Sequence, residues 1–427
     1  MKPSYYNFIY HTESSSYWMN GITHACLKFS KILGEKVEGL LENIPLLLNN
    51  SKELYDILVN GGFIIPKQTD EYKFIYDRYM ESVQSKHYFL ILLPTLNCNF
   101  TCPYCVQTHI PSKMSEETIN KVKKHLKHMV EIEHIQSLTL EWFGGEPFLY
   151  FNEVVKPITL YAKEICENAH IPFISGATTN GSLINSSIAA QLPALEFLRF
   201  QITLDGDEKL HNTVKFNPAI NSAFKETLNN ITSILNHNPH AFITLRINYT
   251  DETLKSNLVN EICSQIPHKL RSKVTVTLKK VWQHSADKNR FSSYIEILDN
   301  FKAEGFNVTK LDISSSFIPC YVNKKYYACI NYDGGAIKCT NCDDLYASNL
   351  RGELNDNGRI IWNDKFDIQT QNPSFTNEPC RTCKRLPLCM GHCPKKHLMM
   401  SDWKCKWPAF DIDLKQAVIS YIDDLYR

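Results

Sequence analysis

The cysteines constrain this chain more than any other feature of its sequence. Fifteen are present in 427 residues; three stand alone, and the others fall in two groups, at positions 98–105 and 320–405. We interpret the isolated Cys26, Cys166 and Cys263 as small buried hydrophobic residues. Grouped thiols in a chain of this length, with no export signal, indicate metal ligation rather than the disulfide framework of a small secreted domain.

Composition and charge exclude several classes of protein. The 46 basic and 45 acidic residues give a formal net charge of +1, so no overall field attracts nucleic acid or an anionic membrane. The first twenty residues lack a basic start followed by an apolar run, and no later stretch approaches about 18 consecutive apolar residues. We therefore expect a cytoplasmic protein without nucleic-acid or membrane partners. The 43% hydrophobic content supports two or three domains.

The sequence divides into three parts, residues 1–88, 89–307 and 308–427. The first part has short strand-like and helix-like segments and is predicted to be a small α/β module. The second alternates six apolar strand-like runs with helix-length segments, which predicts a parallel sheet. Six such units without a nucleotide fingerprint indicate a partial (β/α)6 barrel of the TIM type, with its site at the C-terminal ends of the strands. In the third part the periodicity fades, which indicates a domain held together by metal.

The motif Cys98-x3-Cys102-x2-Cys105 follows the first predicted strand of the barrel. Three thiolates leave one iron of a four-iron cube open to a chelating ligand such as an amino acid. The motif, with the aromatic Tyr104 before its last cysteine, resembles that of the radical S-adenosylmethionine (SAM) superfamily. The resemblance implies that SAM chelates the open iron and is cleaved reductively to a 5′-deoxyadenosyl radical. The alternative is a zinc site or structural cluster, for which His109 is the nearby fourth ligand.

Further candidates for SAM binding follow the second strand. Gly144 and Gly145 allow the backbone to approach a ligand closely, and Glu146 supplies an acceptor. The resemblance implies that this segment contacts the SAM amino group. A simple turn is the alternative interpretation.

Other candidates follow the third and fourth strands. The resemblance implies that Asn180, Thr203 and Asp205 line the ribose and methionine portions of SAM, whereas ordinary turn chemistry is the alternative. Family members often have arginine where this chain has Lys215. Arg246, on the fifth strand, is therefore a candidate for the SAM carboxylate, or else a partner of a core carboxylate.

The C-terminal cysteines form a dense array behind a predicted hairpin over residues 326–338. This arrangement resembles the SPASM domain, which implies two auxiliary clusters. The resemblance assigns the distal cluster to Cys380, Cys383, Cys389 and Cys405. It assigns the proximal cluster to Cys320, Cys339 and Cys393, and for the fourth ligand we favour Cys342 over Cys329 or an open iron. A pair of zinc knuckles is the alternative.

Together the motifs resemble radical SAM/SPASM maturases that modify ribosomally made precursor peptides. The resemblance implies SAM, three 4Fe-4S clusters, an electron donor such as flavodoxin or ferredoxin, and a product with a cross-link or other modification. Residues 1–88 are then a leader-peptide recognition element or a plain structural cap. One alternative is a sulfatase-maturating enzyme, but those relatives typically have a carboxylate where Thr340 follows Cys339. The other is a non-catalytic iron-sulfur scaffold, which would not cleave SAM.

Overall fold

A computed structural model gives the fold as two compact units. The described residues are 1–105, 107–250, 253–255, 257–281, 291–309, 319–340, 351–363, 375, 378–391, 394 and 414–426. The first unit comprises Met1–Ser85, Leu311–Lys325 and Gln369–Arg427, and the second comprises Lys86–Lys310 and Tyr326–Ile368. No helix among the described residues has both the length and the apolar content needed to cross a membrane. The predicted domain boundaries stay predictions.

The first unit begins with a small antiparallel sheet and four helices. Its strands are Lys2–Pro3 (β1), Asn7–His11 (β2), Ser15–Asn20 (β3), Cys26–Ser30 (β4) and Ile64–Ile65 (β5). Its helices are Lys31–Leu40 (α1), Ile44–Asn50 (α2), Lys52–Asn60 (α3) and Glu71–Gln84 (α4). The sheet has the order β2-β3-β4, and β1 pairs with β5. A capping residue precedes each helix, and its side chain accepts a hydrogen bond from a backbone N–H in the first turn. The capping residues of α1 to α4 are Ser30, Asn43, Ser51 and Asp70.

The second unit is built on a mostly parallel sheet. Its strands are His87–Leu92 (β6), Ser137–Trp142 (β7), Phe173–Thr179 (β8), Phe197–Asp205 (β9), Phe242–Tyr249 (β10), Val274–Lys280 (β11) and Asn307–Val308 (β12). Neighbours along the chain pair in parallel throughout this series. The six predicted strand-like runs correspond to β6 through β11, so the predicted α/β class with a parallel sheet is confirmed.

Helices alternate with these strands along the chain. They are Glu116–Glu131 (α5), Lys156–Asn168 (α6), Ser186–Ala189 (α7), Glu208–Val214 (α8), Ala223–His237 (α9), Asn257–Gln265 (α10), His268–Arg271 (α11) and Phe291–Ala303 (α12). Their apolar residues, such as Leu126 in α5 and Ile158 in α6, share one core with the buried side chains of the strands. Burial of this apolar surface is the main favourable contribution to folding of the unit.

The two faces of the parallel sheet differ in polarity. In β7, Leu138, Leu140 and Trp142 are buried in the helix-covered core, whereas Thr139 and Glu141 point to the other face and are half-buried. This alternation follows from the two-residue period of a strand. We call the second face, which carries Thr139 and Glu141, the polar face.

The predicted hairpin is present and extends this sheet. Tyr327–Ile330 (β13) pairs in parallel with β6 and antiparallel with Gly335–Ile337 (β14). Gly352–Leu354 (β15) and Ile360–Ile361 (β16) continue the sheet antiparallel. Cys329 lies fully buried within β13.

The remaining α-helices with described bounds belong to the first unit. They are Glu378–Arg381 (α13), Leu386–Cys389 (α14) and Leu414–Leu425 (α15). Val418 and Ile422 of α15 pack with Phe8 and Met19 of the β2-β3-β4 sheet. The front and the end of the chain therefore share hydrophobic clusters in this unit.

A buried histidine joins α5 to the β15–β16 turn. His125 contacts the Tyr88 hydroxyl through Nε2 at 2.6 Å and the Gly358 carbonyl oxygen through Nδ1 at 2.8 Å. Burial lowers the pKa of His125 to about 4. Gly358 has φ +74°, and a Cβ there would lie 2.5 Å from the His125 backbone nitrogen, so glycine permits this close approach.

This environment makes the stability of the second unit sensitive to pH. The folded state holds His125 neutral while the unfolded chain binds a proton below about pH 6.5, so stability falls as pH falls. Between pH 7.5 and 5.5 this group should lower the free energy of unfolding by about 1 kcal/mol. Denaturant unfolding of His125→Asn at the two pH values should lack that contribution, whereas the control His134→Asn, at an exposed position with φ +52°, should retain it. Equal pH dependence in His125→Asn and wild type would refute the assignment.

Candidate functional site

The three-cysteine loop begins just beyond the C-terminal end of β6. Cys98 and Cys102 are half-buried and Cys105 is exposed. The Cys105 N–H donates to the Cys102 carbonyl oxygen at 3.1 Å, and the Phe100 N–H donates to Cys98 Sγ at 3.5 Å. The loop therefore presents its thiols at the edge of the sheet where a barrel enzyme has its site.

The Gly-Gly-Glu segment after β7 lies directly against this loop. Gly145 N–H donates to the Thr95 carbonyl oxygen at 3.1 Å and Glu146 N–H to that of Asn97 at 2.9 Å. A Cβ on Gly145 would lie 2.0 Å from the Asn97 oxygen, and Gly144 has φ +125°. Contact between the two loops is therefore sufficient to require both glycines.

Glu146 connects the ends of β7 and β8. Its side chain is fully buried and accepts hydrogen bonds from Thr179 Oγ1 at 2.7 Å, the Asn180 N–H at 2.9 Å and the Phe148 N–H at 3.1 Å. Burial raises the pKa of Glu146 to about 7, and these hydrogen bonds oppose the rise. Contact of Glu146 with the SAM amino group stays a prediction.

Asn180 lies at the end of β8 and contacts the cysteine loop. Its Nδ2 donates to Asn99 Oδ1 at 2.8 Å and lies 3.9 Å from Cys98 Sγ, while its Oδ1 accepts from the Ser182 N–H at 2.9 Å. The predicted residues at the ends of β7 and β8 are thus brought together beside Cys98.

Asp205, at the end of β9, is the centre of a buried polar network. One oxygen accepts from the Tyr104 hydroxyl, and the other bonds to the Lys215 ammonium. Asn248 Nδ2 lies 3.2 Å from Asp205 Oδ1 and 3.1 Å from the Tyr104 oxygen. Asp205 and Lys215 are each 2% exposed. Burial opposes ionisation of Asp205, but the Lys215 charge, the neighbouring His211 and the hydrogen bonds from Lys215 and Tyr104 together outweigh it and hold the pKa of Asp205 below its usual value.

Two hydrogen bonds connect the cysteine loop to the end of β9 and to the segment that follows it. Tyr104 lies between Cys102 and Cys105, so its bond to Asp205 ties the motif to the end of β9. Asn217 Nδ2 adds a second tie, donating to the Asn99 carbonyl oxygen at 3.0 Å. Sequence reasoning missed this function of Lys215, because a pairing across ten residues leaves no local signal.

The remaining candidates lie near the same edge. Thr203 pairs in register with Arg246 of β10, and Arg246 Nε donates to Asn248 Oδ1 at 3.2 Å. Within the described part of the chain, Arg246 forms no ion pair with a carboxylate, so its predicted role toward a SAM carboxylate stays open. His109 Nε2 lies 3.4 Å from Cys105 Sγ.

Comparison with known proteins shows which family this part of the chain resembles. Residues 92–258, which contain the three-cysteine loop and β7 through β10, match the Radical SAM superfamily model. This match covers less than half of the chain, and the matched part is similar to a radical SAM domain. The radical SAM cyclopropyl synthase TigE of Paramaledivibacter caminithermalis is 24% identical over 194 residues. That alignment spans 40% of this chain and 40% of TigE, so the chain matches less than half the length of this relative.

Solved structures share the fold. Native anSMEcpe with bound AdoMet and Kp18Cys peptide superposes with a TM-score of 0.56 at 17% identity, covering 79% of this chain and 99% of that one. Native anSMEcpe with bound AdoMet gives 0.55 at 16% identity, covering 79% and 100%. At this identity the likeness shows that the radical SAM domain and its surroundings share the anSMEcpe fold.

A radical SAM domain implies SAM and a 4Fe-4S cluster, and the chemistry of the loop fits both. Three thiols project from one short loop, and Cys98 Sγ lies within reach of the Phe100 and Asn180 N–H groups, the kind of contact that supports cluster sulfur ligands. Among the described residues, no three His, Cys, Asp or Glu side chains are gathered as a site for a single metal ion.

The candidate auxiliary ligands are only partly described. Cys380, Cys383 and Cys389 lie on α13, α14 and the turn between them, and the Cys383 N–H donates to the Cys380 carbonyl oxygen at 3.1 Å. Cys320 belongs to the first unit, whereas Cys329 and Cys339 belong to the second. Cys342, Cys393 and Cys405 lie outside the described residues. The predicted auxiliary clusters therefore stay predictions.

The Asp205 network predicts an asymmetric response to mutation. Lys215→Met leaves a buried carboxylate without its counter-charge and should lower the free energy of unfolding by about 3–5 kcal/mol. The double variant Asp205→Asn/Lys215→Met removes both charges and should recover part of that loss, as measured by denaturant unfolding.

The matched control is Lys225→Met. Lys225 is 53% exposed and pairs with Glu208 at 3.1 Å, so its loss should cost less than about 1 kcal/mol. Equal effects of the Lys215 and Lys225 variants would show that the buried pair does not stabilise this edge of the sheet.

Proposed function

We propose that this chain is a radical SAM enzyme that modifies a ribosomally made precursor peptide. The observation that carries the proposal is the three-cysteine loop of a radical SAM domain, bordered by Glu146, Asn180 and Asp205 at three consecutive strand ends. When bound, a cluster ligated by that loop and completed by SAM supplies a 5′-deoxyadenosyl radical, which takes hydrogen from the substrate.

The chain positions the reacting groups and excludes water from them. Cys98, Cys102 and Cys105 would hold the cluster, and the groups at the strand ends fix the loop that carries these cysteines. We assign Asn180 and Thr203, which lie at or near the ends of β8 and β9, to the lining of the SAM site. The polar face of the sheet, curved as a partial barrel, then receives the peptide and keeps water and other hydrogen donors away from the reacting carbon.

We assign the C-terminal part of the chain to a SPASM domain with two auxiliary 4Fe-4S clusters, which brings the total to three. The cysteine spacing supports this assignment, with distal ligands Cys380, Cys383, Cys389 and Cys405 and proximal ligands Cys320, Cys339, Cys393 and Cys342. A cytoplasmic flavodoxin or ferredoxin is the proposed electron donor, because cleavage of SAM needs an external reductant.

The substrate proposal rests on the relatives and on the front module. TigE is a cyclopropyl synthase by name, and one anSMEcpe structure contains a peptide. In the front module, residues 1–88, strands β2 and β4 are the edges of the three-stranded sheet. An extended leader peptide can add to an edge strand by β-augmentation. Sulfatase maturation is disfavoured, because Thr340 stands where a carboxylate is expected.

Replacement of the loop cysteines tests the chemistry. Anaerobically reconstituted Cys98→Ala/Cys102→Ala/Cys105→Ala should lose one cluster of iron per chain and form no 5′-deoxyadenosine from SAM and dithionite. The matched control replaces the three isolated cysteines Cys26, Cys166 and Cys263 by alanine and should retain both properties. A scaffold protein would give no 5′-deoxyadenosine even in the wild type, and that result would refute the proposal.

Coexpression tests the substrate class. A short precursor peptide encoded beside this gene should change mass when coexpressed with the wild-type chain and keep its mass with the triple loop variant. Tandem mass spectrometry then locates the new bond. If the peptide mass is unchanged although the chain cleaves SAM, the proposal of peptide maturation is refuted and the radical SAM assignment is unaffected.

A further inference from the structure

A row of paired residues crosses the polar face of the sheet, in strands that include β6 and β7, whose C-terminal ends border the cysteine loop. Ile91 of β6 pairs with Cys329 of β13 on one side and with Glu141 of β7 on the other. Glu141 pairs in turn with Gly176 of β8, and Gly176 with Arg199 of β9. Adjacent strands lie about 5 Å apart, so Glu141 is roughly 10 Å from the buried Cys329 of the hairpin.

The Glu141 carboxylate has room only because its neighbour is glycine. A Cβ on Gly176 would lie 2.7 and 2.8 Å from the two carboxylate oxygens. Arg199 Nε lies 3.8 Å from Glu141 Oε1, too far for a hydrogen bond, and Arg199 is 58% exposed whereas Glu141 is 14% exposed. No hydrogen-bond donor among the described residues reaches the Glu141 carboxylate.

The two buried carboxylates at the strand ends that border the cysteine loop are already occupied. Glu146 accepts hydrogen bonds from Phe148, Thr179 and Asn180. Asp205 bonds to Lys215 and to the Tyr104 hydroxyl. Among these three carboxylates, Glu141 alone has oxygens free to serve a reaction. A largely buried carboxylate without a hydrogen-bond donor from the described residues is disfavoured in its charged form, and such shifted carboxylates are common at functional sites.

We propose that Glu141 is the proton acceptor of the peptide modification, an inference that rests on the proposed function and deepens it. Bond formation after hydrogen abstraction must release one electron and one proton. The adenosyl radical takes a hydrogen atom from a peptide C–H, and the resulting carbon forms a bond to a peptide nucleophile whose X–H bond breaks. The electron leaves to an oxidised iron-sulfur cluster, and the proton passes to the Glu141 carboxylate.

The surroundings of Glu141 suit this role. Burial raises the pKa of Glu141 to about 7, and the Arg199 charge opposes that rise. The flanking strands contribute the uncharged Ile91 and Gly176, so Arg199 is the charged group that faces the carboxylate among the described residues. A base whose pKa lies near the working pH transfers protons efficiently and still returns the proton to solvent.

The decisive variant is Glu141→Gln, which keeps the shape and removes the proton acceptor. With the precursor peptide from the coexpression experiment, product formed per 5′-deoxyadenosine should fall about 100-fold, because general-base catalysis typically contributes two to four orders of magnitude. Glu141→Asp should restore part of the yield. The control Glu164→Gln, exposed on α6, should match the wild type.

A second measurement needs neither peptide nor cofactor. Infrared spectra of the metal-free chain are recorded between pH 5 and 9 for the wild type and for Glu141→Gln. Subtraction of the variant spectra from the wild-type spectra should reveal one carboxyl group that titrates near neutral pH. The same subtraction with Glu164→Gln should contain no such group. This measurement reads the environment of Glu141 independently of catalysis.

The outcomes separate this inference from the proposed function. Wild-type product yield in Glu141→Gln, or no neutral titration in the difference spectrum, overturns the role of Glu141 and leaves the peptide maturase proposal standing. Loss of 5′-deoxyadenosine formation in Glu141→Gln also overturns it, because the residue would then serve SAM cleavage. A wild-type chain that forms no 5′-deoxyadenosine refutes the proposed function itself, and the inference with it.

Discussion

The attachment of the cysteine loop to three strand ends is the constraint on which the site depends. Glu146 joins the ends of β7 and β8 next to Asn97, and Asp205 holds Tyr104 from the end of β9. Asp205 contacts the loop through its carboxylate, whereas the Glu146 carboxylate holds the backbone of Asn180, whose side chain contacts Asn99. A buried charge is tolerated only when hydrogen bonds or a counter-charge compensate its lost hydration. The loop is therefore held through groups other than its three thiols, which reduces the conformational entropy lost when those thiols bind a metal.

The contrast between the two faces of the sheet explains where chemistry is possible. Apolar side chains such as Leu140 and Ile202 lie in the helix-covered core and stabilise the unit. On the polar face, Glu141, Arg199 and Arg246 remain partly accessible. Among the described residues, this face therefore carries charged groups that a substrate can contact. Stability and function thus come from opposite sides of the same strands.

Much of this arrangement follows from local sequence pattern. Six strands were predicted because alternating apolar runs and helix-length segments leave few other folds. The cysteine loop and the hairpin over β13 and β14 were predicted from spacing and from an Asp-Gly turn. The pairing of β13 with β6 was not predicted, because contacts between distant segments leave no trace in local periodicity. The same reason hid the Lys215–Asp205 pair. Glu141 was detectable, since it alternates with Leu138, Leu140 and Trp142, but the pattern alone does not reveal that its carboxylate lacks partners.

The central claim is that the cysteine loop holds an iron-sulfur cluster with one iron left open for SAM. Electron paramagnetic resonance of the anaerobically reconstituted, reduced chain, recorded with and without SAM, tests this claim most directly. A cluster signal that changes when SAM is added, and that is absent from the variant lacking Cys98, Cys102 and Cys105, is the predicted result. Zinc in place of iron, or a cluster signal that SAM leaves unchanged, would contradict the account.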